Sequence, residues 1–196
     1  SSFKERERLF REVKGWDHYD TKLLSKGGRI YNRSEKSLTL TPEIMARFDI
    51  AKDKVTPAEL MNAILKARTD LLWFGGIGTF IKATSETHAD AGDKANEAFR
   101  IDAPEIRAKV VGEGANLGCT QKSRVEYAAL GGRINADFID NSGGVNSSDV
   151  EVNIKIAMTD IMHNPVNKMD LQKRNALLAK MTEEVAGLVL RNSYQQ

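Results

Sequence analysis

Leu71-Leu72-Trp73-Phe74-Gly75-Gly76 is an apolar run stopped by two glycines, and a segment with helical spacing leads directly into it. A run of this kind suits a strand buried on both faces and followed by a turn. Just upstream, Thr56-Pro57-Ala58-Glu59 reads as a capping box with proline at the first helical position. Leu60, Ala63, Ile64 and Ala67 then share one face of the helix it starts. The same order returns twice. A helix-like segment over 89–100 precedes a strand at Ala108-Lys109-Val110-Val111 and the turn Gly112-Glu113-Gly114. A helix over 121–130 precedes a strand over 133–139 and the loop Asp140-Asn141-Ser142-Gly143-Gly144-Val145. Helix, strand and glycine loop in repetition predict an α/β fold with a parallel sheet portion and flanking helices. Ligands of such sheets sit at the C-terminal ends of the strands, where all three glycine loops fall.

Outward from this centre the signals are weaker. Phe3, Arg6, Phe10 and Val13 lie at helical spacing, with Gly15 as the expected C-cap, and a second short helix is expected from Asp17 to Gly27-Gly28. Residues 29–41 hold a short extended piece, and Thr41-Pro42-Glu43 marks another helix start. Beyond Ser148 the chain reads as a C-terminal helical segment interrupted at Pro165, with Leu171, Leu178, Met181, Val185 and Leu188 along one stripe.

Composition narrows the function classes. The chain has 196 residues, of which 41% are hydrophobic, enough for a globular core. Its 29 Lys+Arg against 27 Asp+Glu leave a formal charge of +2, too balanced for nucleic-acid or membrane-surface binding. The basic residues Lys4, Arg6, Arg8, Arg11 and Lys14 alternate with Glu5, Glu7 and Glu12, as on a solvated helix face. No apolar stretch approaches the roughly 20 residues needed to cross a bilayer, and residues 1–13 are too charged for a secretory leader. A single cysteine, Cys119, and three scattered histidines lead us to expect a cytoplasmic protein with no disulfide and no metal. Cys119 reads as a packed thiol.

The glycine loops invite comparison with a dinucleotide fingerprint. Gly76-x-Gly78 and Gly112-x-Gly114 both follow expected strands, yet Ile81 and Leu117 stand where the third glycine belongs. The Gly112 loop is followed at nearly the right distance by Asp137 and Asp140, so it reads either as a pyrophosphate loop or as a tight strand-to-helix turn. Asn116 and Asn141, just past strand ends, offer donor and acceptor together. They could meet a carboxamide or ribose hydroxyls, or could be turn residues bonded to their own backbone. Ser147 and Ser148 could cap the next helix or, at its positive end, meet a carboxylate.

Three successive stretches, Asp70-Leu71-Leu72-Trp73-Phe74-Gly75-Gly76-Ile77, Val110-Val111-Gly112-Glu113-Gly114-Ala115-Asn116 and Asp140-Asn141-Ser142-Gly143-Gly144-Val145 with Ser148, resemble the nicotinamide-side loops of glutamate dehydrogenases. The fuller wording, with Gly78-Thr79, Leu117-Gly118 and Glu151-Val152-Asn153-Ile154-Lys155, is similar to the large NAD-specific bacterial branch. The likeness runs from Phe3-Lys4-Glu5-Arg6 to about Lys155. It implies an internal fragment carrying the C-terminal half of a Rossmann-like NAD-binding domain. Residues 1–50 would be a helical or irregular connector, 51–163 the nicotinamide-side half, and 164–196 a C-terminal helical segment. The phosphate loop would lie upstream, so the Gly112 loop is implied to face the nicotinamide. Gly75 and Gly76 would offer backbone to the nicotinamide riboside, Asn116 would bond its ribose, Asn141 its carboxamide, and Ser148 the α-carboxylate of L-glutamate or 2-oxoglutarate. The family's catalytic lysine and aspartate have no counterpart here, so no catalytic residue is expected. The resemblance also implies dependence on the rest of the parent chain and a homo-oligomeric parent. Phe74-Gly75-Gly76 and Gly118-Cys119-Thr120 depart from the Pro-Ala-Ala and Pro-Thr-Thr of the smaller enzymes, and residues 84–104 have no counterpart in them. Another amino-acid dehydrogenase with the same loops, and a non-catalytic α/β assembly module, are the alternatives.

Overall fold

The structure, a computed structural model, describes residues 1–166 and 168–196. It is α/β, with a parallel sheet, flanking helices and a C-terminal helical segment. The chain divides into two compact units: Ser1–Leu72, Gly78–Val111 and Cys119–Ile134 make the first, and Trp73–Ile77, Gly112–Gly118 and Asn135–Gln196 the second.

In the first unit, α1 (Ser2–Arg11) ends earlier than expected, at Glu12, and Val13 rather than Gly15 takes the left-handed conformation with φ 52°. Glu5 is buried on its underside. It accepts Arg8 Nη2 at 2.6 Å and the Asp20 N–H at 2.8 Å. The Arg8 bond and the Asp20 N–H hold its carboxyl well below the usual range, at about 2. The helix expected over 17–27 does not form. Two single 3-10 turns, Trp16–His18 and Thr21–Leu23, stand in its place. The Asp20 carboxylate accepts the Lys22 N–H at 3.0 Å, a local bond that competes with helix continuation, and Leu24 is extended.

The strands β1 (Leu38–Thr39) and β2 (Lys54–Val55) pair antiparallel. The helices α2 (Pro42–Phe48) and α3 (Pro57–Leu65) begin where the proline signals place them, capped by Thr41 and by the full Thr56–Glu59 box. Leu38, Leu40, Val55 and Leu60 form a buried cluster, with Ile44, Met45 and Phe48 packed against it. Each such side chain contributes about 1.5–3 kcal/mol when removed from water.

The helix expected over 89–100 is a short 3-10 segment, Lys94–Phe99. Polar groups organise this stretch from within. Asp93 accepts the Thr79 N–H at 2.8 Å and Asn96 Nδ2 at 2.6 Å. Buried Arg100 donates to the carbonyls of Thr79, His88 and Asp93. The parallel pair β4 (Ile81–Lys82) and β5 (Ile101–Asp102) lies beside it, and Cys119, buried as expected, bridges to Ile81. Helix α4 (Gln121–Ala129) is capped by Thr120, and its Tyr127 hydroxyl donates to the Ala108 carbonyl at 2.8 Å.

The main sheet runs in the order β3 (Leu71–Phe74), β6 (Val110–Glu113), β7 (Arg133–Ile134), with β6 and β7 parallel. Strand β6 lies two residues later than expected, so Gly112 and Glu113 belong to the strand. As an edge strand, β3 is not buried on both faces: Leu71 and Trp73 are 51% and 54% exposed, and only Phe74 is buried.

Among the described residues the second unit holds α5 (Asp137–Asp140), α6 (Ser142–His163) and α7 (Leu171–Gln195), the last capped by Asp170. The expected strand over 133–139 therefore stops at Ile134, and the expected glycine loop over 140–145 is the start of α6. Helices α6 and α7 lie against each other, and Gly143, Ser147, Ile154, Met181, Val185 and Val189 line a groove along them.

Candidate functional site

All the residues expected to bind cofactor or substrate fall in the second unit: Gly75 and Gly76 after β3, Asn116 after β6, Asn141 before α6, and Ser148 within α6. The structure joins two of them directly. Asn141 Nδ2 donates to Asn116 Oδ1 at 2.8 Å, and both residues are half-buried. This bond uses one donor and one acceptor. The Asn116 carboxamide donors and Asn141 Oδ1 are not consumed by it.

The glycines divide into two kinds. A Cβ at Gly114 would enter the Trp73 indole well within 3.0 Å, and one at Gly118 would crowd the Phe74 ring at 3.0 Å and Glu113 Oε1 at 3.1 Å. These two are glycines because the protein packs on itself there. A Cβ at Gly75 would meet nothing nearer than Trp73 at 3.8 Å, and one at Gly76 nothing within 4 Å. Internal packing therefore leaves the surface of the Gly75-Gly76 loop open. Gly144 is of the first kind, since a Cβ there would collide with the Asn141 carboxamide. The Asn141 side chain thus folds over the first turn of α6, where only a residue without a side chain leaves room.

Ser148 is the seventh residue of α6 and is exposed, so it cannot be the N-cap. Ser147 is not a cap either; its hydroxyl donates back to the Gly143 carbonyl at 2.7 Å. Asn141 and Ser148 are seven positions apart, which on a helix is about two turns and the same face, roughly 10 Å along the axis. Asp137 and Asp140, the acids that follow the Gly112 loop, turn to loop backbone. Asp140 Oδ2 accepts the Glu113 N–H at 3.0 Å, and Asp137 Oδ2 accepts the Leu117 N–H at 2.9 Å. Sequence reading missed this role, as it missed Gly144 and Trp73. Two aspartates three apart next to an asparagine were the available signal, but nothing local says what they bond.

Among the described residues no group of three His, Cys, Asp or Glu side chains could hold a metal ion, and no helix is long and apolar enough to cross a membrane.

Comparison with known proteins bears on this arrangement. Residues 1–196 match the family described as bacterial NAD-glutamate dehydrogenase, catalytic domain. The chain is 56% identical over 197 residues to the NAD-specific glutamate dehydrogenase of Pseudomonas aeruginosa, 52% over 199 to that of Halomonas elongata, and 46% over 202 to that of Mycobacterium tuberculosis. All of this chain is covered in each case, and it spans 12% of the length of each of these relatives.

Proposed function

The chain belongs to the family of bacterial NAD-glutamate dehydrogenase catalytic domains, and on that premise we propose that it supplies the nicotinamide-facing loops of a larger NAD-specific glutamate dehydrogenase. The parent reaction converts L-glutamate, NAD and water to 2-oxoglutarate, ammonia and NADH. The observation that carries this reading is the Asn116–Asn141 bond of 2.8 Å, which brings two amides from separate loops together at the start of α6. Bound NAD supplies the hydride acceptor, and the residues of this chain orient it.

In this reading the open backbone at Gly75 and Gly76 receives the nicotinamide riboside, which is supported by the empty space where their Cβ atoms would be. Asn116 uses its amide donors on the ribose, and Asn141 meets the carboxamide. Ser148, on the same face of α6 as Asn141, reaches the substrate α-carboxylate. Residues 51–163 form the nicotinamide-side half of the NAD-binding domain, with 1–50 as connector and 164–196 as a C-terminal helical segment. The pyrophosphate loop and the reacting lysine and aspartate belong to other parts of the parent.

The test uses both the chain and its parent. The purified chain should form no NADH from glutamate and should bind NAD only weakly, because the phosphate contribution of a glycine loop at a helix N-terminus is missing. The parent carrying Asn116→Ala or Asn141→Ala should lose NAD affinity. NADH production by the chain alone, or unchanged NAD affinity in both parent variants, rejects the reading.

A further inference from the structure

The Asn116 amide can meet a nicotinamide ribose reproducibly only if the loop that carries it is held still. Strand β6 ends at Glu113, and the chain then turns through Gly114 to Leu117, which has φ 64°. That left-handed conformation is disfavoured for a leucine by about 1–2 kcal/mol, so it persists only where neighbouring groups impose it. Two carboxylates lie at the two ends of this turn. Asp140 Oδ2 accepts the N–H of Glu113 at 3.0 Å, and Asp137 Oδ2 accepts the N–H of Leu117 at 2.9 Å. Asn135 Nδ2 donates to Asp140 Oδ1 at 3.0 Å, which fixes the plane of that carboxylate. Both aspartates sit on α5, three residues apart, and the next residue in the chain is Asn141.

The geometry points to Asp140 and Asp137 as positioning residues: they clamp both ends of the 113–117 turn to the short helix that presents Asn141, and so set where the Asn116 amide stands. The inference rests on the cofactor reading above. Backbone N–H groups bonded to carboxylates make charge-assisted bonds, about twice as strong as neutral ones. Two of them, with the Asn141–Asn116 bond between, close a ring from β6 through the turn and back through α5. An asparagine at 140 would keep the shape but not the function. Its single carbonyl oxygen can serve either Glu113 or Asn135, and its NH2 would face a donor at the other.

The test is steady-state kinetics of the full-length parent with Asp140→Asn, Asp140→Glu, Asn116→Ala, and the double variant Asp140→Asn with Asn116→Ala. Asp140→Asn should raise the NAD KM about tenfold, the scale expected for losing a hydrogen bond to a charged group, and leave the glutamate KM nearly unchanged. Asp140→Glu should recover part of the loss. The double variant should have an NAD KM no higher than Asn116→Ala alone, because Asp140 acts through Asn116. If Asp140→Asn does not fold, Asp137→Asn is held to the same outcomes. Additive losses in the double variant, or a lowered melting temperature with an unchanged NAD KM, overturn the positioning role while the cofactor reading stands. An Asn116→Ala variant with an unchanged NAD KM overturns the positioning role, and the cofactor reading falls with it when Asn141→Ala leaves NAD affinity unchanged as well.

Discussion

Asn141 Nδ2 donates to Asn116 Oδ1 at 2.8 Å, across 25 positions of sequence, and this bond links the turn after β6 to the start of α6. Removing it tests the cofactor assignment quantitatively. Asn141→Ala in the full-length parent should cost roughly 0.5–1.5 kcal/mol of NAD binding, about a two- to twelvefold rise in Kd. Calorimetry of NAD binding is the measurement, and a Kd within a factor of 1.5 or so of the parent value returns Asn141 to a purely structural role.

Gly144 and Gly187 are both helical glycines, and they should respond in opposite ways to alanine. Gly187 has nothing within 4 Å of its missing Cβ, so Gly187→Ala should stabilise the chain by about 0.5–1 kcal/mol through helix propensity alone. At Gly144 the new methyl would displace the Asn141 carboxamide. Gly144→Ala should therefore forfeit that gain and weaken NAD binding in the parent, whereas Gly187→Ala leaves it alone. Denaturant melts of the chain and NAD titrations of the parent check both halves.

Ser148 lies within α6 and is exposed, so its hydroxyl contributes little to the fold. Ser148→Ala should be neutral or stabilising by up to about 0.5 kcal/mol, since alanine is the better helix former. If its hydroxyl meets the substrate carboxylate as proposed, its loss should lower kcat/KM for glutamate about ten- to a hundredfold, with NAD affinity little changed. Melting curves and glutamate kinetics separate the two effects, and unchanged glutamate kinetics would remove Ser148 from the site.

The carboxyl of Glu5, held near 2 chiefly by Arg8, makes the docking of α1 sensitive to acid. A carboxyl whose pKa is depressed on folding stabilises the fold above its unfolded value of 4.5, and this contribution is lost as pH falls from there towards 2. Glu5→Gln should therefore lower the melting temperature at pH 7, with the difference from the unaltered chain closing between pH 4.5 and 2. A difference that stays constant over that range would show that the ion pair is not the cause.

Features whose physics is local were legible in the order of the amino acids. The starts of α2 and α3 depend on a side chain bonding an amide three residues ahead, so Thr41 and Thr56 could be read as written. The family likewise followed from the wording of three loops. Tertiary structure decided what depends on distant partners. Residues 137–140 are helical, not strand, where their carboxylates meet the amides of Glu113 and Leu117, 27 and 20 positions away. The stretch before Arg100 forms only a short 3-10 segment, and Asp93 and Arg100 bond the backbone around Thr79. Leu71 and Trp73 look like core in a linear pattern, yet β3 has one neighbour and leaves them half exposed. A pattern of apolar residues specifies which faces can be buried, and only the pairing of strands decides which of them are.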